Sequence, residues 1–185
     1  MERAELAAAL REHAYLEGDF TLRSGRRSSY YLDKYRFETR PDLLGPLGDA
    51  IAEAVQGSEP AAVRLAGPEL GAVALVAAAS LSSGLPFLIV RKEAKGYGTG
   101  NRLEGELEEG ELVCLVEDVV TSGGAAVEAV EALREAALEV RTAVCVVDRE
   151  EGGTEALGRV GVSLRPLFRV SEIAEGRKSA AKPHG

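Results

Sequence analysis

Residues 112–130, LVCLVEDVVTSGGAAVEAV, bring two neighbouring carboxylates, Glu117 and Asp118, to the end of an apolar run. Val119, Val120, Thr121, Ser122, Gly123, Gly124 and Ala125 follow at once. Glycines at a strand-to-helix turn let the main chain approach a ligand, and successive backbone N–H groups together with the helix dipole favour a phosphate. Two acids just upstream would repel that phosphate but can accept hydrogen bonds from vicinal hydroxyls. The stretch therefore fits a sugar phosphate whose diol lies several ångströms from its phosphate. It is neither a Walker A loop nor a G-x-G-x-x-G turn, because neither spacing occurs in it. Taken alone, a glycine turn between strand and helix serves structure as readily as phosphate binding.

Cations gather in two other stretches. Arg23, Arg26 and Arg27 cluster in TLRSGRRSS, and Arg91, Lys92, Lys95 and Arg102 cluster in VRKEAKGYGTGNRL, while acids crowd the helical stretches and the EGELEEGE run. Two basic loops on a body of formal net charge -8 suit a small anionic ligand held at one place, and argue against coating nucleic acid through bulk charge. For Arg26 and Arg27 alone, solvated surface charge is the simpler account. Histidine chemistry has little to work with, since His13 falls on a predicted helix and His184 near the C-terminus, which also disposes of a His-based zinc site.

The elements that must position these groups follow from periodicity. Residues 2–16 predict an amphipathic helix with Leu6 and Leu10 on one face. Residues 41–56 predict a second, opened by Pro41, striped by Leu43, Leu44, Leu47, Ile51 and Val55, and closed by Gly57. Between them, FTL and SSYYLDKYR flank RSGRR as a hairpin. From residue 62 the pattern becomes regular: strand AVRLAG, helix ELGAVALVAAASL, strand PFLIVRK, a long polar loop, strand ELVCLVED, helix AAVEAVEALREAA and strand VRTAVCVVDR. Short, nearly all-apolar strands alternating with helices imply an α/β fold with a mostly parallel sheet flanked by helices. In such sheets ligands bind beyond the carboxyl ends of the strands. The loops AGPELG, RKEAKGYGTGN, EDVVTSGGA and DREEGGT all fall there and can converge on one crevice.

At 185 residues the chain reads as a single domain, 1–185, able to bury about 70% of its unfolded surface without staples. Cys114 and Cys145 sit inside apolar runs, as buried structural thiols of a reducing compartment do. There is no basic-then-apolar leader, and the longest apolar patch, GAVALVAAASLSSGL, is too short and serine-rich to span a bilayer. A cytoplasmic protein with no membrane or nucleic-acid partner is expected. The polar end GRKSAAKPHG reads as frayed, with 177–185 a flexible tail.

LVEDVVTSGGA resembles the phosphoribosyl pyrophosphate (PRPP) signature of the type I phosphoribosyltransferases: apolar residues, two acids, two apolar residues, Thr, a small residue, Gly. Three further segments narrow the resemblance. FTLRSGRRSSYY is similar to the N-terminal segment of orotate phosphoribosyltransferases, RKEAKGYGTG to their mobile catalytic loop, and VVDREEGG to their orotate-binding segment. The match runs from about Gly18 to about Arg149 in the right order.

The resemblance implies the type I phosphoribosyltransferase fold with a small hood built from residues 1–40 and a C-terminal part. It also implies a reaction, orotate plus PRPP giving orotidine 5'-monophosphate and pyrophosphate, with Mg2+ as cofactor in pyrimidine synthesis. By the family pattern Glu117 and Asp118 bind the ribose hydroxyls, and residues Val119 to Ala125 wrap the 5'-phosphate. Arg91, Lys92 and Lys95 contact the pyrophosphate, with Arg23 as a further contact. Thr121, Arg149, Tyr30 and Tyr31 surround orotate, although the two tyrosines on their own would read as strand core. Lys95 and Asp118 carry the catalytic roles. Mg2+ is expected to ride on substrate oxygens and water, with no direct protein ligand. The family also implies a homodimer in which the loop from Lys92 to Glu109 acts as a lid in trans.

Three departures from the family pattern stand out. Arg23 replaces a lysine, which turns a point donor into a fork. Gly71 stands where a pyrophosphate-binding lysine is common. Gly96 and Tyr97 replace an acid and a histidine in the loop, so imidazole proton delivery is lost there. A purine phosphoribosyltransferase would share the phosphate loop without needing Arg149 or SGRRSSYY. A PRPP-sensing regulator would need a helix-turn-helix, for which residues 1–17 leave little room.

Overall fold

A computed structural model of the chain describes residues 1–21, 25, 27–93 and 102–175. Expectations for Arg23, Arg26, Lys95, Gly96, Tyr97, His184 and the tail 177–185 lie outside the described residues.

The first helix, α1, runs Arg3–Ala14 and buries Leu6, Leu10 and Ala14. It stops two residues short of the predicted end because Tyr15 is already extended and opens β1, Tyr15–Thr21. β1 pairs antiparallel with β2, Arg27–Leu32, as the separate two-stranded sheet the hairpin pattern implies. A one-turn helix α2, Tyr35–Glu38, leads to α3, Pro41–Ser58. Pro41 sits in the first turn as read, but Gly57 does not close this helix. Helical bonding continues past it, since Ser58 Oγ donates to the Ala54 carbonyl at 2.6 Å and the Glu59 N–H to that of Val55 at 2.8 Å.

The remaining elements are β3 Arg64–Pro68, α4 Ala72–Ser83, β4 Phe87–Val90, β5 Leu103–Glu104, β6 Leu112–Val120, α5 Gly124–Glu135, β7 Glu139–Asp148, α6 Gly153–Arg159, β8 Ser163–Arg169 and α7 Val170–Glu175. The described strands form a six-stranded sheet in the order β5-β4-β3-β6-β7-β8. All its pairings are parallel except β4 with β5. The expected long polar loop after β4 is thus interrupted by β5, which pairs back on the strand it left.

The sheet is covered on both faces, which explains why its central strands read as continuous apolar runs. One core joins α1, α2, α3, α4 and α7 to residues such as Leu65, Val116 and Val144. The other joins α5 and α6 to Val113, Leu115 and Ala143. Phe37 and Phe168 are the largest side chains shut away from solvent in the first core. Cys114 and Cys145 are buried and unpaired, as their apolar flanks imply. The C-terminal elements return to the N-terminus: Arg3 Nη2 donates to the Leu167 carbonyl and to Glu172 Oε1, each at 2.9 Å.

The helix after β3 lies on one face and the helix after β6 on the other, so the chain winds outward in opposite senses from these adjacent central strands. Such a reversal opens a crevice at the carboxyl ends of the two strands.

Candidate active site

The crevice between β3 and β6 holds a cavity of about 280 Å³ lined by Lys34, Tyr35, Pro68 to Gly71, Lys92 and residues Glu117 to Ala126. A larger hollow of about 960 Å³ lies at the other end of the sheet, against the C-terminal end of α5. Arg64, its innermost cation, is already matched in a two-pronged pair with Glu111 at 2.7 and 2.8 Å, so the converging chemistry belongs to the smaller cavity.

The glycine turn between strand and helix forms as its sequence implies. Gly123, at the N-cap of α5, has φ 82°, and a Cβ there would meet the Gly153 backbone at 3.0 Å. Glycine is therefore required for both reasons. No side chain caps α5 and no acid occupies its first turn, so its leading N–H groups face the cavity with the positive end of the helix dipole.

Adjacent strand residues project to opposite faces of a sheet. Asp118, 3% exposed, faces the N-terminal segment, where Oδ2 accepts from Lys34 Nζ at 2.5 Å and Oδ1 from the Val119 N–H. Glu117 is 7% exposed, and burial, then the neighbouring Asp118 charge, push its carboxyl up to about 8. A third acid not singled out by its sequence, Glu38 at the end of α2, is 4% exposed. Its carboxyl is also raised to about 8, first by burial and then by Asp118. Burial works against the Lys34 ammonium, but the Asp118 charge and hydrogen bond override it, so Lys34 titrates above the usual lysine range. A side chain at residue 71 would overrun this cluster: its Cβ would fall 1.6 Å from Asp118 Oδ2 and 2.5 Å from Lys34 Nζ.

Arg149 follows β7 immediately. Its Nε and Nη2 donate to Tyr30 Oη at 3.3 and 3.2 Å, its guanidinium lies 5.0 Å from the Tyr30 ring centre, and Nη2 pairs with Glu151 at 3.0 Å. Tyr30 in turn stacks on Tyr15 at 4.9 Å, and Arg11 caps the far side of Tyr15 at 4.1 Å. Tyr31 points the other way, is 43% exposed and packs against Phe20, as alternation along β2 requires. Tyr30 and Arg149 are thus brought together, whereas the Tyr31 ring is directed away from them.

The basic loop is divided. Lys92 lines the cavity, and its N–H donates to Glu69 Oε1 at 2.8 Å, tying the loops after β3 and β4 together. Arg91 turns to β5, where it lies 3.8 Å from Glu104. Among the described residues no group of three or more His, Cys, Asp or Glu side chains could cage a metal, and no helix is long and apolar enough to cross a membrane. Lys34, Glu38 and Glu69 had no signature in the sequence. Each lies far along the chain from its partner, and only the folded sheet joins them.

A parallel sheet with its crevice at the β3–β6 reversal, and an acid pair leading into a glycine turn on the second of those strands, is the architecture of the type I phosphoribosyltransferases. No family model matches the chain. It is 54% identical over 157 residues to the orotate phosphoribosyltransferase of Methanocella arvoryzae, covering 84% of this chain and 87% of the relative. The chain belongs to the orotate phosphoribosyltransferase family. The crystal structure of orotate phosphoribosyltransferase from Aeropyrum pernix superimposes with a TM-score of 0.84 at 34% identity, over 95% of this chain and 99% of that one. The Mycobacterium tuberculosis H37Rv enzyme in complex with PRPP superimposes with a TM-score of 0.79 at 29% identity, over 93% and 98%.

Proposed function

We propose that this chain transfers the phosphoribosyl group of PRPP to orotate, releasing pyrophosphate and giving orotidine 5'-monophosphate for pyrimidine synthesis. A nitrogen of orotate forms the new bond to the anomeric carbon as the bond from that carbon to pyrophosphate oxygen breaks. The observation that carries this reading is one crevice holding an uncapped, acid-free helix start and a buried acid pair, with an arginine held by Tyr30 fastened through its N–H to Val120 beside it. In that frame the 5'-phosphate meets the N–H groups of residues 123–125, the ribose hydroxyls meet Glu117 and Asp118, and the orotate carboxylate meets Arg149 and Thr121. These contacts fix the reactants in one orientation, which replaces a bimolecular encounter with a positioned one.

Charge gathers on the leaving pyrophosphate in the transition state, so cations aimed at it accelerate the step. Lys34 and Lys92 are the cationic side chains lining the cavity among the described residues. That scarcity supports Lys95 arriving from the loop, and the same reading makes the protein a twofold homodimer in which Lys95 serves the neighbouring subunit's site. Mg2+ is the proposed cofactor and, when bound, supplies further neutralisation of the leaving group. In this reading the metal is carried by substrate oxygens and water and is reached by Asp118 through water. The buried, unpaired thiols support a cytoplasmic setting.

Incubation with PRPP, Mg2+ and one base at a time tests the reading. Orotate should be consumed with release of pyrophosphate, and adenine, guanine, hypoxanthine and uracil should not. Turnover of a purine with none of orotate would refute it.

A further inference from the structure

Lys34 belongs to none of the motifs on which the proposed reaction rests, yet with Lys92 it is one of two described cations that line the crevice. It leaves the N-terminal segment just after β2 and crosses to a strand 84 positions away, where its ammonium sits on Asp118 at 2.5 Å. Three buried acids, Glu38, Glu117 and Asp118, surround that one ammonium. Gly71 closes over it without a side chain, because any Cβ there would collide with both members of the pair.

The two ends of PRPP must lie on opposite sides of its ribose. With the 5'-phosphate at the start of α5 and the diol on Glu117 and Asp118, what remains of the cavity for the pyrophosphate is the part lined by Lys34, residues 69–71 and Lys92. The start of α4 opens there too, with no side-chain cap and no acid in its first turn. A lysine has three donors on a flexible four-carbon stem, so it can exchange one oxygen for another without rebuilding its surroundings, which a planar guanidinium cannot do as readily.

We propose that Lys34 is a further substrate-binding residue, an exchangeable counter-ion that pairs with Asp118 before PRPP binds and passes to the pyrophosphate oxygens when the ribose hydroxyls claim Asp118. The proposal rests on the PRPP reading of the crevice. It assigns to the hood a direct hold on the leaving group, besides its contacts to the base.

Calorimetric titration of wild type, Lys34→Gln and Lys34→Met with PRPP, pyrophosphate and ribose 5-phosphate, each in MgCl2, separates the possibilities. Both variants should lose affinity for PRPP and pyrophosphate on the order of tenfold to a hundredfold, the range of a charged hydrogen bond. Their affinity for ribose 5-phosphate, which lacks the leaving group, should stay nearly unchanged. Glutamine keeps a donor for Asp118, so that variant provides the comparison if methionine fails to fold. Equal losses for all three ligands would mean that Lys34 only holds Asp118 in place, and no loss would mean that it does neither; each overturns the proposal. Wild type failing to bind PRPP at all would remove both the proposal and the PRPP reading beneath it.

Discussion

The backbone N–H of Arg149 donates to the carbonyl oxygen of Val120 across 2.9 Å, so the first residue beyond β7 is fastened to the last residue of β6. The arginine proposed to meet orotate and the turn proposed to meet phosphate therefore hold a fixed separation. That separation is set by the sheet and does not depend on the conformation of either loop.

Truncating the guanidinium should separate the two substrates kinetically. Arg149→Ala is expected to raise the KM for orotate on the order of tenfold to a hundredfold, the worth of a charge-assisted hydrogen bond, and to raise that for PRPP far less. Equal changes in both constants would reject the assignment of Arg149 to the base.

The two glycines of the turn should respond in opposite ways. Gly123→Ala forces a left-handed residue against the Gly153 backbone and should cost about 1–3 kcal/mol of stability, seen as a lower denaturation midpoint. At Gly124 a Cβ meets no heavy atom within 4 Å. Gly124→Ala should therefore fold as well as wild type yet bind PRPP more weakly, because the methyl group intrudes where the phosphate approaches. Undiminished affinity for PRPP would mean that the phosphate is held elsewhere.

Stability should fall as pH rises through the neutral range. Glu38 faces Asp118, Lys34 and Asp33, and Glu117 faces Asp118, Lys34 and Glu38; both carboxyls move from an ordinary 4.5 to about 8 in the fold. Between those values the native state holds protons that the unfolded chain has released, so this contribution is full below about pH 4.5 and lost by about pH 8. Glu38→Gln removes one of the two titrations. Denaturation midpoints recorded from pH 5 to pH 9 should show wild type losing ground to that variant as pH rises. A constant difference between them would mean that Glu38 is ionised throughout.

Subunit mixing tests the lid. If Lys95 serves the partner's site and Asp118 its own, Lys95→Ala and Asp118→Asn homodimers should both be nearly inactive, and a hybrid dimer carries both defects in one site and leaves the other whole. Equal mixing with exchange should then restore about a quarter of wild-type activity. Hybrids visible by native mass spectrometry without recovered activity would place the lid in its own subunit's site.

The central strands β3, β4, β6 and β7 were legible because burial on both faces forces continuous apolar runs, and the glycine turn because its backbone requirement selects residue types. The edges were not. β5 is two residues long, and β8 alternates exposed and buried positions around Pro166, a residue that argues against a strand. The helix α3 ran past Gly57 because hydrogen bonds on either side of that residue outweigh its weak helix preference. Arg149 was singled out from its segment, but its contact with the Tyr30 ring, 119 positions away, could not be read there. Lys34 was not, since the short sequence DKY advertises nothing and its partner is supplied by a strand 84 residues on.

Among the described residues the hairpin β1–β2 shares no ladder with the six-stranded sheet. Its grip on the body of the molecule comes from greasy neighbours such as Leu32 and Tyr30, with Lys34–Asp118 and Arg149–Tyr30 as polar latches. Ladders break in whole hydrogen bonds, whereas apolar surfaces can slide by small amounts at little cost. The molecule is therefore built as a laddered floor beneath a roof held by packing and side-chain latches, so that a shift of the roof would break no strand pairing in the floor.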